Sequence, residues 1–271
     1  MKIIQKHQIV LFSYRWHIAC PNDIDGKITL GDTLSSAGMS MKDYDVVLTN
    51  PPFGTKKGGE CATRDDFTFP TSNKQLNFLQ HIYRSLKANG KARAAVVLPD
   101  NVLFADGDGE RIRLDLMDKC NLHTILRLPT GIFYAQGVKT NVLFFTCGKT
   151  DKHNTKEVWI YDLRKDMPSF GKTNPLKSEH FDDFVKCYAD GDLSKRQETY
   201  SEENPNGRWR KFTIEDILDR DKTSLDITWM KADSGTEDYT LEELLDMIKE
   251  KSNNIAKAVA ELEALIGKVE E

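Results

Sequence analysis

The sequence predicts an α/β fold, and three observations lead to this expectation. Short apolar segments of strand length alternate with longer segments of helical periodicity. Polar residues, Asp32 and Asn50, directly follow the first two strand-like segments, and a hairpin-like pair of apolar segments ends the pattern. Alternation of this kind favours a parallel sheet with helices on both faces, and ligands are then expected beyond the carboxyl ends of the strands.

The individual elements are predicted in order along the chain. Residues 1–22 have no clean period and form an atypical segment with at most one strand or helix. Strands are predicted over 27–30, 45–49, 94–98, 122–128, 141–147 and 159–161. Apolar spacing predicts helices over 76–86, 112–120, 181–188 and 214–218. Gly90 is expected to cap the first helix, and the basic residues 208–211 are expected to form a turn before the last of these helices.

A long helix is predicted at the C-terminus, over 240–271. Its apolar residues recur in alternating steps of four and three, a heptad seam interrupted by Ser252. A seam of this length favours a partner helix, although packing against the chain's own body stays open as an alternative. The seam residues are Leu241, Leu245, Ile248, Ile255, Val259, Leu262, Ile266 and Val269.

Composition restricts the possible classes of protein. The 271 residues are 39% hydrophobic and 30% charged, which excludes disorder of the whole chain. No apolar run approaches the ~18–20 residues of a membrane span, so no membrane association is expected and a cytoplasmic location is predicted. The net charge of -4 does not indicate a free-standing DNA-binding protein. Five scattered cysteines without a C-x-x-C pair predict no metal site.

The most informative segment is Asn50-Pro51-Pro52-Phe53, directly after a predicted strand. An exocyclic amino group on an aromatic ring is a poor nucleophile because its lone pair is delocalised. A catalyst must therefore accept the hydrogens of that group, and the Asn50 side chain and the Pro51 carbonyl can supply two acceptors. Consecutive prolines stiffen the backbone, and Phe53 offers a ring on which a base can stack. The alternative is a polyproline-like turn with Phe53 in the core.

This tetrapeptide resembles motif IV of the methyltransferases that act on adenine N6. The resemblance extends over residues 23–271 and identifies a wider family, the modification subunits of type I restriction–modification systems. It includes the segments 31–34, 44–54, 78–81, 95–99, 128–133 and 137–145. The resemblance implies a partial S-adenosylmethionine-dependent methyltransferase sheet with flanking helices, followed by the long C-terminal helix. It divides the chain into a catalytic core over 23–165, a helical and loop extension over 166–239 and the heptad helix over 240–271.

The resemblance also implies roles for individual residues. Asp32 would accept a hydrogen bond from the adenine amino group of S-adenosylmethionine, and Asn50 would also lie close to the cofactor. The alternative for Asp32 is a residue that only stabilises a turn. Asn50, Pro51, Pro52 and Phe53 would hold a flipped adenine, with Phe133 as the second stacking face, although Phe133 could equally be hairpin core and Tyr134 competes for the role. Lys56 and Lys57 would contact DNA phosphates, unless their loop is merely solvated. The implied partners are DNA, a specificity subunit bound through the heptad helix and a restriction subunit.

The sequence departs from the family's pattern near its beginning. The glycine-rich loop that would hold the methionine end of the cofactor, and the acidic residue that would hold its ribose, do not occur. A truncated or frame-disrupted form with weak or no cofactor binding is therefore expected. Two other functions stay open, namely a non-catalytic assembly module that binds a specificity subunit, and a protein-glutamine methyltransferase, because a side-chain amide presents the same delocalised nitrogen.

Overall fold

The computed structural model describes residues 9–12, 32–53, 64–133, 138–168, 170–171, 173–230 and 252. The chain divides into two compact units, Met1–Met230 and Lys231–Glu271. Within the second unit only Ser252 is described; it is helical and exposed. The predicted heptad helix and its seam residues, from Leu241 to Ile266, otherwise lie outside the described residues, as does the predicted strand over 27–30.

The described residues form one seven-stranded sheet and its helices. The strands are β1 (Ile9–Phe12), β2 (Val46–Thr49), β3 (Arg93–Pro99), β4 (Cys120–Leu128), β5 (Thr140–Cys147), β6 (Glu157–Asp162) and β7 (Trp209–Thr213). The α-helices are α1 (Lys74–Ser85), α2 (Asn101–Phe104), α3 (Asp108–Lys119), α4 (Asp182–Tyr188) and α5 (Ile214–Leu218). Most of the predicted strands and helices are thereby confirmed, and β1 supplies the element expected within residues 1–22.

The sheet is mixed, so the expectation of a wholly parallel sheet is wrong, whereas the predicted hairpin-like pair is confirmed by the antiparallel pairing of β4 with β5. The strand order is β1-β2-β3-β5-β4-β6-β7, and β1, β2 and β3 pair with one another in parallel. β5 lies antiparallel between β3 and β4, because the short connection over 129–139 can join only antiparallel neighbours. β6 is parallel to β4, and β7 is antiparallel to β6.

Three local predictions are corrected. The helix α1 ends at Ser85, and Leu86 is already extended, so Gly90 does not cap it and instead adopts a φ of +73° in the following turn. Cys120, placed on a helix by its spacing, is the first residue of β4. Trp209, Arg210 and Lys211, which were expected in a basic turn over 208–211, belong to β7, because they pair with β6.

Helix α1 shows how the sequence specifies these elements. Its N-cap residue, Asn73, accepts hydrogen bonds from the backbone N–H groups of Gln75 and Leu76 at 3.0 and 3.2 Å. This satisfies two of the donors that every helix leaves unpaired at its start. Leu79 and Ile82, at helical spacing, are completely buried. Burial of such side chains contributes about 1.5–3 kcal/mol each.

Two apolar clusters cover opposite faces of the sheet. Val158 and Ile160 of β6 belong to a large cluster that includes α1 and α3. The alternate residues Trp159 and Tyr161 belong to a second cluster, which includes Phe184 of α4. Neighbouring side chains of a strand point to opposite faces, so helices cover both faces of the sheet as predicted. Because β2 and β3 are parallel, their carboxyl ends lie at the same edge of the sheet. Within the part of the chain that is described, no helix is long and apolar enough to cross a lipid bilayer.

Candidate active site

The corner that follows β2 is open to solvent. Val47 and Thr49 anchor the strand in the interior, while Asn50 is exposed and Pro51 is buried beneath it. Neither the Asn50 side chain nor the Pro51 carbonyl accepts a hydrogen bond from any described residue. The two acceptors that the sequence analysis singled out are therefore not used by the described part of the fold.

Two aromatic residues of the predicted site lie together. The rings of Phe53 and Phe133 meet edge to face, with centroids 6.1 Å apart and planes at 85°. They are 37% and 36% exposed, which is unusual for large apolar side chains. Phe133 is therefore not hairpin core: it belongs to the connection between β4 and β5, and it contacts the corner although 80 residues separate it from Phe53 in the sequence.

Asp32 lies in an exposed turn that leads to a short 3₁₀ helix, Ser36–Ser40. Its Oδ1 accepts a hydrogen bond from the backbone N–H of Leu34 at 2.9 Å. Its Oδ2 has no partner among the described residues. The side chain thus stabilises its own turn and still offers one carboxylate oxygen to a ligand.

A buried arginine that the sequence analysis did not identify fixes this turn. Arg64 is 4% exposed and donates from Nη1 to the Thr33 carbonyl at 3.0 Å and to Nδ1 of His81 at 2.8 Å. It also makes a bidentate pair with Asp66, at 2.8 and 2.6 Å. Its guanidinium packs over the Phe67 ring, 4.4 Å from the centroid. Arg64 therefore ties the Asp32 turn to helix α1.

These contacts perturb the pKa values of both neighbouring titratable groups. Burial and the Arg64 charge lower the pKa of His81 to about 3, so the imidazole is neutral near pH 7. Neutral Nδ1 must be the acceptor in its contact with Arg64, because a guanidinium only donates. The hydrogen bonds from Arg64 lower the pKa of the Asp66 carboxyl and keep it ionised.

A second polar network that the sequence analysis missed follows the ends of β3 and β6. Asp100 directly follows β3, and the Arg164 guanidinium pairs with its carboxylate. Burial raises the pKa of Asp100, but hydrogen bonds from Arg164 and Asn141 outweigh this and lower it below its usual value. The signal that pointed to Asn50, a polar residue directly after a strand, applies equally to Asp100.

Some predicted site residues cannot be placed. Lys56 and Lys57 lie outside the described residues, as does Tyr134. Their proposed roles stay predictions. Within the described ranges, no group of three or more histidine, cysteine or acidic side chains is arranged to hold a metal ion.

A mixed α/β sheet with an asparagine–proline corner at a strand end agrees with the methyltransferase class that the sequence motifs indicated. A profile of the N-6 DNA methylase family matches residues 19–233, and this chain belongs to that family.

Several proteins are similar to this chain. It is 48% identical over 270 residues to the type I restriction enzyme EcoKI methylase subunit of Escherichia coli K12, and 37% identical over 206 residues to the EcoEI methylase subunit of Escherichia coli. These alignments cover 90% and 75% of this chain but 50% and 39% of the relatives. The crystal structure of the EcoKI M protein matches with a TM-score of 0.68 at 47% identity, covering 90% of this chain and 54% of that one. The chain thus spans about half the length of the curated EcoKI relative.

Proposed function

We propose that this chain carries the adenine-binding part of a DNA adenine-N6 methyltransferase subunit from a type I restriction–modification complex. The observation that carries the proposal is the exposed corner after β2, with two acceptors that no described residue uses and the Phe53–Phe133 pair beside it. Membership of the N-6 DNA methylase family supports the choice of adenine N6 over a glutamine side chain.

In the proposed reaction, the corner prepares the amino nitrogen of a flipped adenine. The Asn50 side-chain oxygen and the Pro51 carbonyl accept hydrogen bonds from its two N–H groups. This reduces the delocalisation of the nitrogen lone pair into the ring and favours tetrahedral geometry at the nitrogen. The two prolines restrict the backbone that carries both acceptors, so the Pro51 carbonyl is oriented before the base arrives. No ionised general base is needed to hold the nitrogen, and an amide does so over a wide pH range; the surplus proton of the methylated nitrogen would pass to solvent.

The aromatic pair supplies affinity for the base. An adenine that leaves the duplex loses its stacking with neighbours, and the cost is a few kcal/mol. Stacking on an aromatic side chain returns about 1–3 kcal/mol per base. Phe53 follows the corner directly, so a base held by Asn50 is within reach of its ring.

The described residues fit the adenosine end of S-adenosylmethionine, the proposed methyl donor. When bound, this cofactor supplies the methyl group as an electrophilic sulfonium substituent. Asp32, whose Oδ2 no described residue engages, is suited to accept a hydrogen bond from the adenosine amino group, and Arg64 holds the Asp32 turn in place. These residues would orient the adenosine end, while the glycine-rich loop expected for the methionine end does not occur in this sequence.

The proposed partners are DNA, a specificity subunit and a restriction subunit. The heptad seam predicted over 240–271 would contact helices of the specificity subunit. The net charge of -4 agrees with such a division, because DNA sequence would then be recognised largely by another chain. If the seam is the only working part, the chain is instead a non-catalytic assembly module.

A chimeric subunit tests the proposal. This chain would replace the matching half of the EcoKI methylase subunit, and the chimera would be assembled with its partners. Transfer of tritiated methyl groups to adenine N6 in unmethylated target DNA is expected. An assembled complex that binds DNA but transfers no methyl group would instead favour the assembly module.

A further inference from the structure

One guanidinium bridges the two ends of the loop that carries Phe133. This loop, residues 129–139, leaves β4 at Leu128 and enters β5 at Thr140. Arg164 donates from Nε to the Leu128 carbonyl at 3.1 Å and from Nη2 to the Thr140 carbonyl at 3.0 Å. The spacing of the two strand ends is therefore set by a side chain that follows β6.

The same guanidinium is paired with the end of β3. It makes two hydrogen bonds to the Asp100 carboxylate, at 3.1 and 2.5 Å, and the Asn141 amide donates to that carboxylate at 2.7 Å. The backbone N–H of Asp100 donates to the Lys139 carbonyl within the loop, at 3.0 Å. The Arg164 and Asp100 side chains are only 14% and 16% exposed, so water screens the pair weakly.

An independent contact supports the loop from the segment that follows Arg164. Gly131 has a φ of +85°, and a Cβ at this position would lie 2.2 Å from the Phe170 carbonyl oxygen. Only glycine permits both this conformation and this approach. The loop backbone therefore rests on the same segment that supplies the guanidinium, two residues before Phe133.

We propose that Arg164 is a positioning residue that fixes the Phe133 loop against the edge of the sheet carrying Asn50. Through Asp100 the guanidinium is joined to β3, and β3 pairs with β2, where Thr49 precedes the corner. This inference rests on the proposed function, because it assigns the network the task of holding the second stacking ring beside the flipped base.

Arginine is required in this role for a geometric reason. Its planar fork donates to the two carbonyls and the carboxylate at the same time, whereas a lysine ammonium has the charge but not the arrangement of donors. Arg164→Lys should keep the ion pair with Asp100 and lose the bridge between the strand ends. Arg208→Lys is the matched control, because Arg208 holds the Lys165 carbonyl of the same segment, at 2.6 Å, and makes no hydrogen bond to either strand end.

The first measurement is amide hydrogen exchange on this chain, which does not depend on activity. In Arg164→Lys, peptides covering 129–133 and 138–140 should exchange at least about tenfold faster than in the wild type, while Arg208→Lys leaves them unchanged. Asp100→Asn should reproduce the effect, which guards against a folding defect of one variant. Unchanged exchange in both Arg164→Lys and Asp100→Asn would overturn the proposal.

The second measurement separates positioning from mere stability. In the chimeric methyltransferase, Arg164→Lys should misplace the Phe133 ring and thereby lower kcat about 10- to 100-fold. The KM for S-adenosylmethionine should stay unchanged. The substitution should also reduce the fluorescence rise of 2-aminopurine placed at the target adenine. Faster exchange with normal kcat and fluorescence would overturn the positioning role. A wild-type chimera without methylation would instead refute the proposed function, while hydrogen exchange would still test the bridge.

Discussion

Phe53 and Phe133 contact each other edge to face, with ring centroids 6.1 Å apart, although one follows β2 and the other lies between β4 and β5. Under the proposed function, a planar base that stacks between the two rings would have to part them. We expect the corner after β2 to fix the position of the Phe53 ring. We expect the loop whose ends Arg164 bridges to fix the position of the Phe133 ring.

Removing the second ring should weaken binding of the flipped base. In the chimeric methyltransferase, Phe133→Ala should cost about 1–3 kcal/mol, or roughly 5- to 150-fold in affinity, as measured by 2-aminopurine fluorescence titration. Phe104→Ala is the control, because Phe104 is 47% exposed and does not belong to the aromatic pair. Equal losses in the two variants would argue against stacking by Phe133.

Loss of the buried Arg64 should destabilise the fold strongly. Arg64→Met removes the hydrogen bonds to Thr33 and His81 and leaves Asp66 without its cation. Breaking a buried pair in this way costs about 3–5 kcal/mol, which chemical denaturation would measure. Arg84→Met is the comparison and should cost less than about 1 kcal/mol, because within the described ranges the Arg84 side chain bonds only to the exposed Thr68 hydroxyl. Similar costs would contradict the anchoring role of Arg64.

The stability of the fold should fall as the pH falls below about 6.5. Burial lowers the pKa of His81 to about 3 and that of His123 to about 4, from a usual value of 6.5. Below pH 6.5 the unfolded chain therefore binds protons that the folded chain does not. As the pH falls, the free energy of unfolding decreases with a slope that approaches about 1.4 kcal/mol per pH unit for each histidine.

Thermal unfolding between pH 7.5 and 5 measures this dependence. The variant His81→Gln, in which the amide oxygen can still accept from Arg64, should flatten the curve. His153→Gln should not, because the His153 side chain is 80% exposed. A curve unchanged by His81→Gln would contradict the assignment of a buried neutral imidazole.

The sequence allowed the strands and the corner to be predicted because their signals are local. The run from Val46 to Thr49 is apolar and stops at two prolines, and the placement of Asn50 follows directly. The strand order could not be predicted in the same way. β5 pairs with β3 over contacts about fifty residues apart, and no local pattern shows that it inserts between β3 and β4.

The buried charges were missed for a different reason. Arg64 and Arg164 look like surface residues in sequence, since arginine is rarely buried unless it is paired. Their burial follows from partners that are distant along the chain, Thr33 and Asp100, and the pairing appears only once the sheet is assembled. Arg164 could have been identified from the sequence more readily than Arg64, because it lies just after the end of β6.

Binding of the cofactor by this chain alone should be weak. Asp32 has one carboxylate oxygen without a partner in the described part of the chain, but the sequence contains no glycine-rich loop for the methionine end. Isothermal titration with S-adenosylmethionine should therefore show no binding in the low micromolar range, and Asp32→Ala should remove whatever heat remains. Low-micromolar binding by the chain would show that residues other than the expected loop hold the methionine end.

In the proposed function, the Asn50 side-chain oxygen accepts a hydrogen bond from the amino group of an extruded adenine. One substitution tests this interaction most directly. Methyl transfer should be compared between the wild-type chimeric methyltransferase and Asn50→Ala. The control is Asn206→Ala, because Asn206 is exposed and its side chain bonds only to Lys165 among the described residues. We expect Asn50→Ala to lower methylation by at least about 100-fold, as for loss of one preorganised polar contact at a reacting centre, while complex assembly and DNA binding stay intact. Near-normal methylation by Asn50→Ala in an assembled complex would contradict the account.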